Sequence, residues 1–292
     1  MRVTVETAAK INLLLDIRGR LPNGYHSLYM IMQSVSLFDR VSIERTGRGG
    51  IALTCSQEAI PCDARNTAYK AAEQFFRFTG KENDGLRIHI DKHIPHEAGL
   101  AGGSADAAAV IQGLNLLYET ELRERDMCAI GAKVGADVPF CIMGGTMIAQ
   151  GIGEVLTPVS DIPDCTLVLA KPSAGVSTAY AYAQYDAAGS CRRQDEQGML
   201  AAIQGGDLYM IAHKLGNSFE QFIDTPNRVQ IKSVLRSGGA IGSCMSGSGP
   251  TVFGIFDDPR KAEQCADQLK QIVPHVFVCH PVKFGCKRIK SE

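Results

Sequence analysis

Residues 95–109 read PHEAGLAGGSADAAA. Just upstream, at 86–91, Leu86, Ile88 and Ile90 alternate with Arg87, His89 and Asp91, which predicts a strand. Downstream, apolar residues at 107, 110, 114 and 117 recur at helical spacing and predict a helix through about Tyr118. Between them lies a proline-led loop holding Gly99, Gly102 and Gly103, with Ser104 opening the alanine-rich helix. Glycines let a backbone approach a ligand closely and adopt positive φ. The helix start offers unpaired N–H groups and a positive dipole end, which together favour a phosphate. The Ser104 hydroxyl can serve a phosphate or a magnesium ion. No GK[ST] follows the glycines and no G-x-G-x-x-G occurs, so neither a Walker loop nor a dinucleotide fingerprint is present. A plain tight turn, with Ser104 or Asp106 serving the helix N-terminus, stays open on these residues alone.

Working outward, residues 2–17 alternate like a strand, with Ile11, Leu13, Leu15 and Ile17 on one face and Lys10, Asn12, Leu14 and Asp16 on the other. RLPNGYH at 20–26 carries Asn-Gly and predicts a hairpin into the strand-rich run 28–44. Residues 66–79 read as a helix capped by Asn66 or Thr67. A further helix carries Met127, Ile130 and Val134 and is expected to stop at GADVP, where Pro139 would break it. Two prolines and lost periodicity at 157–165 suggest a boundary between domains at 1–160 and 161–292. Beyond it we expect a strand at 167–170, a helix from about Ser177, a polar link, and one helix carrying Leu208, Ile211, Leu215, Phe219 and Phe222. The tail reads strand, GSGP turn, strand, helix (about 259–272), strand, which is half of a ferredoxin-like layer.

With 292 residues, 45% hydrophobic and 21% charged, the composition is that of a globular protein. Thirty basic residues against 31 acidic ones give no field for nucleic acid and no charged tail, so a small molecule in a local pocket is the expected partner. Ten scattered cysteines form no CxxC pair and no zinc spacing, and are expected as reduced, structural thiols. No signal peptide or membrane span is read at the N-terminus, and cytoplasm is the expected location.

The order PxxxGLxGGSxDAA resembles the second motif of the GHMP kinase superfamily, and MSGSGPTVF (245–253) is similar to the third. AAKINLLLDIRGRLPNGYHSL (8–28), GADVPF (135–140) and KLGNSFE (214–220) resemble the branch acting on 4-diphosphocytidyl-2-C-methyl-D-erythritol in the non-mevalonate isoprenoid pathway. These matches run in order from residue 8 to about 256. The resemblance implies a two-domain α+β fold, an N-terminal domain like ribosomal protein S5 and a ferredoxin-like C-terminal domain. It also implies ATP with Mg²⁺, and an assembly no larger than a monomer or weak homodimer is expected.

The resemblance places the ATP phosphates on Pro95, His96, Glu97, Ala98, Gly99, Leu100, Ala101, Gly102, Gly103, Ser104 and Ala105. No protein residue is assigned to the metal. As a carboxylate, Asp137 can orient an acceptor hydroxyl and take its proton; a capping aspartate is the plain alternative, and the resemblance makes it catalytic. Lys10 can face the γ-phosphate or hold Asp137 ionised, with Asn12 beside it toward the acceptor. Tyr25 and His26 suit a nucleobase, which wants stacking plus hydrogen bonds on its edge, and in the family they hold cytosine. Of Tyr180, Tyr182 and Tyr185 we favour Tyr182 to close the stack. His96-Glu97, Ala105 and Ser218 depart from the family pattern, and Glu97 would repel phosphates unless it points away. The rival readings are a kinase of mevalonate, homoserine or a sugar, and a non-catalytic ligand sensor.

Overall fold

Alternating apolar residues build two long antiparallel strands, β1 (Arg2–Arg20) and β2 (His26–Arg45), joined by the 21–25 turn. In this computed structural model, which describes residues 1–189 and 191–289, the chain continues through β3 (Ile51–Cys55), α1 (Thr67–Thr79) and β4 (Leu86–Asp91). Next come α2 (Gly102–Leu117), α3 (Glu124–Ala132), α4 (Val138–Met143), β5 (Thr146–Gly151) and β6 (Val155–Pro158). After the 159–165 connection follow β7 (Thr166–Lys171), α5 (Thr178–Ala188), α6 (Glu196–Gln204), α7 (Leu208–Lys214) and β8 (Gly216–Asn217). A 3-10 turn, α8 (Arg228–Ser237), β9 (Gly242–Met245), β10 (Val252–Phe256), α9 (Pro259–Leu269), β11 (His275–Cys279) and β12 (Cys286–Ile289) complete it.

The strands form two sheets. The first runs β12-β1-β2-β4-β3, with β5 and β6 extending from β2 and β8 pairing with β1. The second is four-stranded and antiparallel, in the order β11-β7-β10-β9, and packs against α8 and α9. The last strand thus crosses back to the first sheet and pairs with β1. α2 lies almost wholly in the core against β1, β2, α1 and α4. Gly113 lets it lie close to β2, since a Cβ there would stand 2.4 Å from Ile43 Cδ1. Phe75 on α1 is fully buried beneath, and its truncation to Ala would cost about 3–5 kcal/mol.

Several expectations need correction. A bulge at Leu13 breaks the period of two, so Leu15, not Leu14, shares the cleft with Lys10. Pro139 does not break a helix but sits in the first turn of α4, where its missing N–H costs nothing. The link before Leu208 contains α6, which buries Met199, Ala202 and Ile203. The helix expected to reach Phe222 ends at Lys214, because Asn217 turns its side chain onto Phe219 N, Met245 O and Gly247 O. α1 is capped by Asn66, whose side chain accepts from Ala68 N. All ten cysteines are free thiols, and burial pushes several upward, Cys128 to about 11 and Cys165 to about 12.

Candidate active site

Between the first sheet, the 95–104 loop, α5 and the turn at 247–248 lies a cleft of about 890 Å³. At one end three chain segments are tied together through their backbones. Lys10 N donates to Leu100 O at 3.1 Å, Thr251 N to Ala98 O at 3.4 Å, and Ser246 Oγ to Gly99 O at 2.9 Å. Gly99 has φ +75°, and a Cβ there would stand 2.1 Å from Ser246 O, so only glycine fits.

The loop delivers α2 with its N-terminus open. Its N-cap, Ala101, is left-handed (φ 58°) and supplies no side-chain hydrogen bond. Neither Ser104 nor Asp106 caps the helix, so neither side chain serves its N-terminal amides. The helix starts two residues before Ser104, which sits in the first turn. Asp106 is instead buried with Asp39 around the Lys92 ammonium, bonded to both carboxylates and 2.7 Å from Asp106. Asp39 also accepts from His93 N and Ile94 N at 2.6 and 2.8 Å, which fixes the chain entering the loop. Burial and the charge of Asp39 push the Asp106 carboxyl up to about 7, against the pull of Lys92.

Pro95, His96, Glu97, Ala98, Gly99, Ala101, Gly102, Gly103 and Ser104 line the cleft, whereas Leu100 and Ala105 lie in the core. A hydroxyl at 105 would therefore not reach a ligand, and the departure there removes no cleft contact. Glu97 turns across the cleft, where a Cβ on Gly175 would stand 2.5 Å from its Oε2. Ser218 donates to the buried Asp16 at 3.1 Å; an aspartate there would put two carboxylates in contact.

Lys10 is 4% exposed and donates to Asn12 Oδ1 at 2.7 Å. Gly247 lies beside it, since a Cβ there would stand 3.3 Å from Lys10 Nζ. Among the described residues no ion pair joins Lys10 to Asp137, so Lys10 is aimed by Asn12. Asn12 itself is fully buried, with its amide against Met30 Sδ at 3.4 Å, and does not line the cleft. Asp137 lines the cleft at the start of α4, and its side chain caps nothing. A Cβ on the neighbouring Gly135 would stand 3.9 Å from Ser104 Oγ, so Ser104 lies next to the Asp137 segment.

At the other end, Tyr25 lines the cleft from the turn and is 58% exposed. The His26 ring lies flat on Tyr182, with centroids 4.4 Å apart and planes at 11°, and meets the edge of Tyr185 at 5.4 Å. Its Nε2 is 2.7 Å from Asp186 Oδ1. Of the three candidate tyrosines, Tyr182 alone lines the cleft. Burial pushes its phenol well up, and the charge of Asp137 adds to this.

A family model described as the GHMP kinases N terminal domain matches residues 66–145, and the GHMP kinases C terminal model matches 199–275. The 4-diphosphocytidyl-2-C-methyl-D-erythritol kinase of Alkaliphilus metalliredigens is 42% identical over 270 residues, 92% of each chain. The chain belongs to the GHMP kinases. A crystal structure of 4-(cytidine 5'-diphospho)-2C-methyl-D-erythritol kinase superposes with a TM-score of 0.76 at 30% identity, covering 96% of this chain and 99% of that one. Homoserine kinase from Cytophaga hutchinsonii gives 0.78 at 18% identity, covering 99% and 97%, which shows a shared fold alone.

As a GHMP kinase the protein uses ATP. The sequence reading missed Thr67, Ser177, Thr178, Asp186 and Ser248, all on the cleft. Ser177 caps α5, and Thr178 Oγ1 lies 3.4 Å from Ser248 Oγ. Asp186 was legible only as the residue one helical turn after Tyr182. Among the described residues no helix is long and apolar enough to cross a membrane, and no cluster of three His, Cys, Asp or Glu side chains could hold a metal.

Proposed function

We propose that this GHMP kinase transfers the γ-phosphoryl group of ATP to the 2-hydroxyl of 4-diphosphocytidyl-2-C-methyl-D-erythritol, in the cytoplasm and as a monomer or weak homodimer. One observation carries the reading: the uncapped N-terminus of α2 and a carboxylate that caps nothing, Asp137, face one cleft.

The ATP phosphates sit on the open amides of 101–104, where the loop geometry admits close approach and the helix end favours negative charge. Asp137 accepts the proton of the attacking hydroxyl as its oxygen bonds to the γ-phosphorus and the bond to the bridging oxygen of ADP breaks. Lys10, held by Asn12, stabilises charge on the moving phosphoryl. The Ser104 hydroxyl in the first turn of α2 is an oxygen donor that suits a Mg²⁺ held mainly by the nucleotide phosphates. When bound, the ion neutralises phosphate charge. Tyr25, His26 and Tyr182 take the cytosine at the far end.

The test is ADP release by the purified chain with ATP and each of the cytidyl conjugate, mevalonate and homoserine. The cytidyl conjugate is expected to be turned over in clear preference. Preference for either of the others would overturn the acceptor assignment while leaving the kinase, and no ADP with any acceptor would favour a ligand sensor.

A further inference from the structure

We propose that Asp186 is a positioning residue that fixes the tautomer of His26 and so makes the base pocket select cytosine over uracil. The inference rests on the cytidyl acceptor proposed above and extends it to a residue on α5.

His26 is gripped on three sides by α5. Tyr182 holds its face, Tyr185 its edge, and Asp186 its Nε2, at 4.4, 5.4 and 2.7 Å. Residues 182, 185 and 186 lie on one helical face, so one short helix sets the plane and rotation of the ring. The hydrogen bond from His26, and the Arg20 guanidinium 3.9 Å away, keep the Asp186 carboxyl below the usual range. An ionised carboxylate only accepts, so the proton on this bond belongs to Nε2. In the neutral ring the other nitrogen, Nδ1, is then a bare acceptor. It has no partner among the described residues, and His26 and Asp186 both line the cleft.

A bare acceptor in the ring plane needs a donor from the base. Cytosine offers its exocyclic amino group, whereas uracil has an oxygen at that position. With Asp186 in place, uracil sets lone pair against lone pair. Without it the ring can move its proton to Nδ1, and the pocket accommodates either base. A site built around one hydrogen bond rejects an analogue that cannot make it far better than an apolar pocket rejects a misfit.

Two measurements decide it. The first is kcat/KM for the cytidyl conjugate and its uridyl analogue in wild type and Asp186→Ala. The ratio is expected to shrink by about tenfold or more in the variant, with the KM for ATP unmoved. The second is ¹⁵N–¹H correlation of the His26 ring in the wild type, expected to show a protonated Nε2 and a bare Nδ1. An unchanged ratio in a folded Asp186→Ala, or a ring protonated on Nδ1, overturns the inference. If the wild type turns over neither conjugate, the acceptor assignment and the selectivity fall together. The ring spectrum then still reads the Asp186–His26 pairing by itself.

Discussion

At the phosphate end of the cleft, the hydrogen bonds that set the geometry run through main-chain groups of residues 10, 98–100 and 251, helped by Ser246. At the base end, the geometry is set by side chains: a ring on a ring, a ring edge, and one imidazole–carboxylate bond. The first end has almost no room for substitution, since the position of its backbone depends on glycines and on a buried charge cluster. The second can be retuned one side chain at a time. Chemistry common to a family suits the first kind of construction, and acceptor choice suits the second.

The sharpest way to break the comparison is to remove the charge behind the phosphate loop. Lys92→Met leaves Asp39 and Asp106 buried without their counter-ion, and urea denaturation should show a loss of about 3–5 kcal/mol. A loss near that of a surface substitution would mean the triad does not hold the loop. Next in size, Asp137→Asn removes basicity with little change in shape. Turnover should fall by about two orders of magnitude or more while ATP affinity holds. A variant keeping most of its turnover would rule out Asp137 as the base.

Tyr25→Ala addresses the other end. It should weaken the cytidyl acceptor by about 1–3 kcal/mol, as for a base stacked on an aromatic ring, and leave ATP untouched. Equal effects on both ligands would merge the two ends into one. The smallest effect concerns pH. Asp106 has a folded value raised to about 7 above its ordinary 3.8, so its contribution to stability is present at low pH and lost as pH rises through that window. Asp106→Asn imitates the protonated form. Its thermal midpoint relative to wild type should therefore improve between about pH 5 and about pH 8. A difference independent of pH would show that Asp106 does not titrate there.

Much of the phosphate end was legible because it is local in sequence: a strand, a glycine loop and a helix follow one another within 86–117. Asn66, the alternation of β4 and the tail order β9, β10, α9, β11 were equally readable. What escaped depends on distant partners. The bulge at Leu13 exists because β1 must follow β2, and β12 pairs with β1 across nearly the whole chain. The break after Lys214 follows from Asn217 bonding to residues near 246, where apolar spacing alone continued the helix. Asp186 carried no signal of its own, since its partner His26 lies 160 positions away.

The central claim is that the base, bound far from the reacting hydroxyl, positions that hydroxyl beside Asp137. Steady-state kinetics of the wild type with the cytidyl conjugate and with methylerythritol phosphate, at saturating ATP, test it most directly. Remote binding energy used for positioning predicts that losing the cytidyl group lowers kcat as well as raising KM. An unchanged kcat with only KM raised would mean the base end merely adds affinity, and would contradict the account.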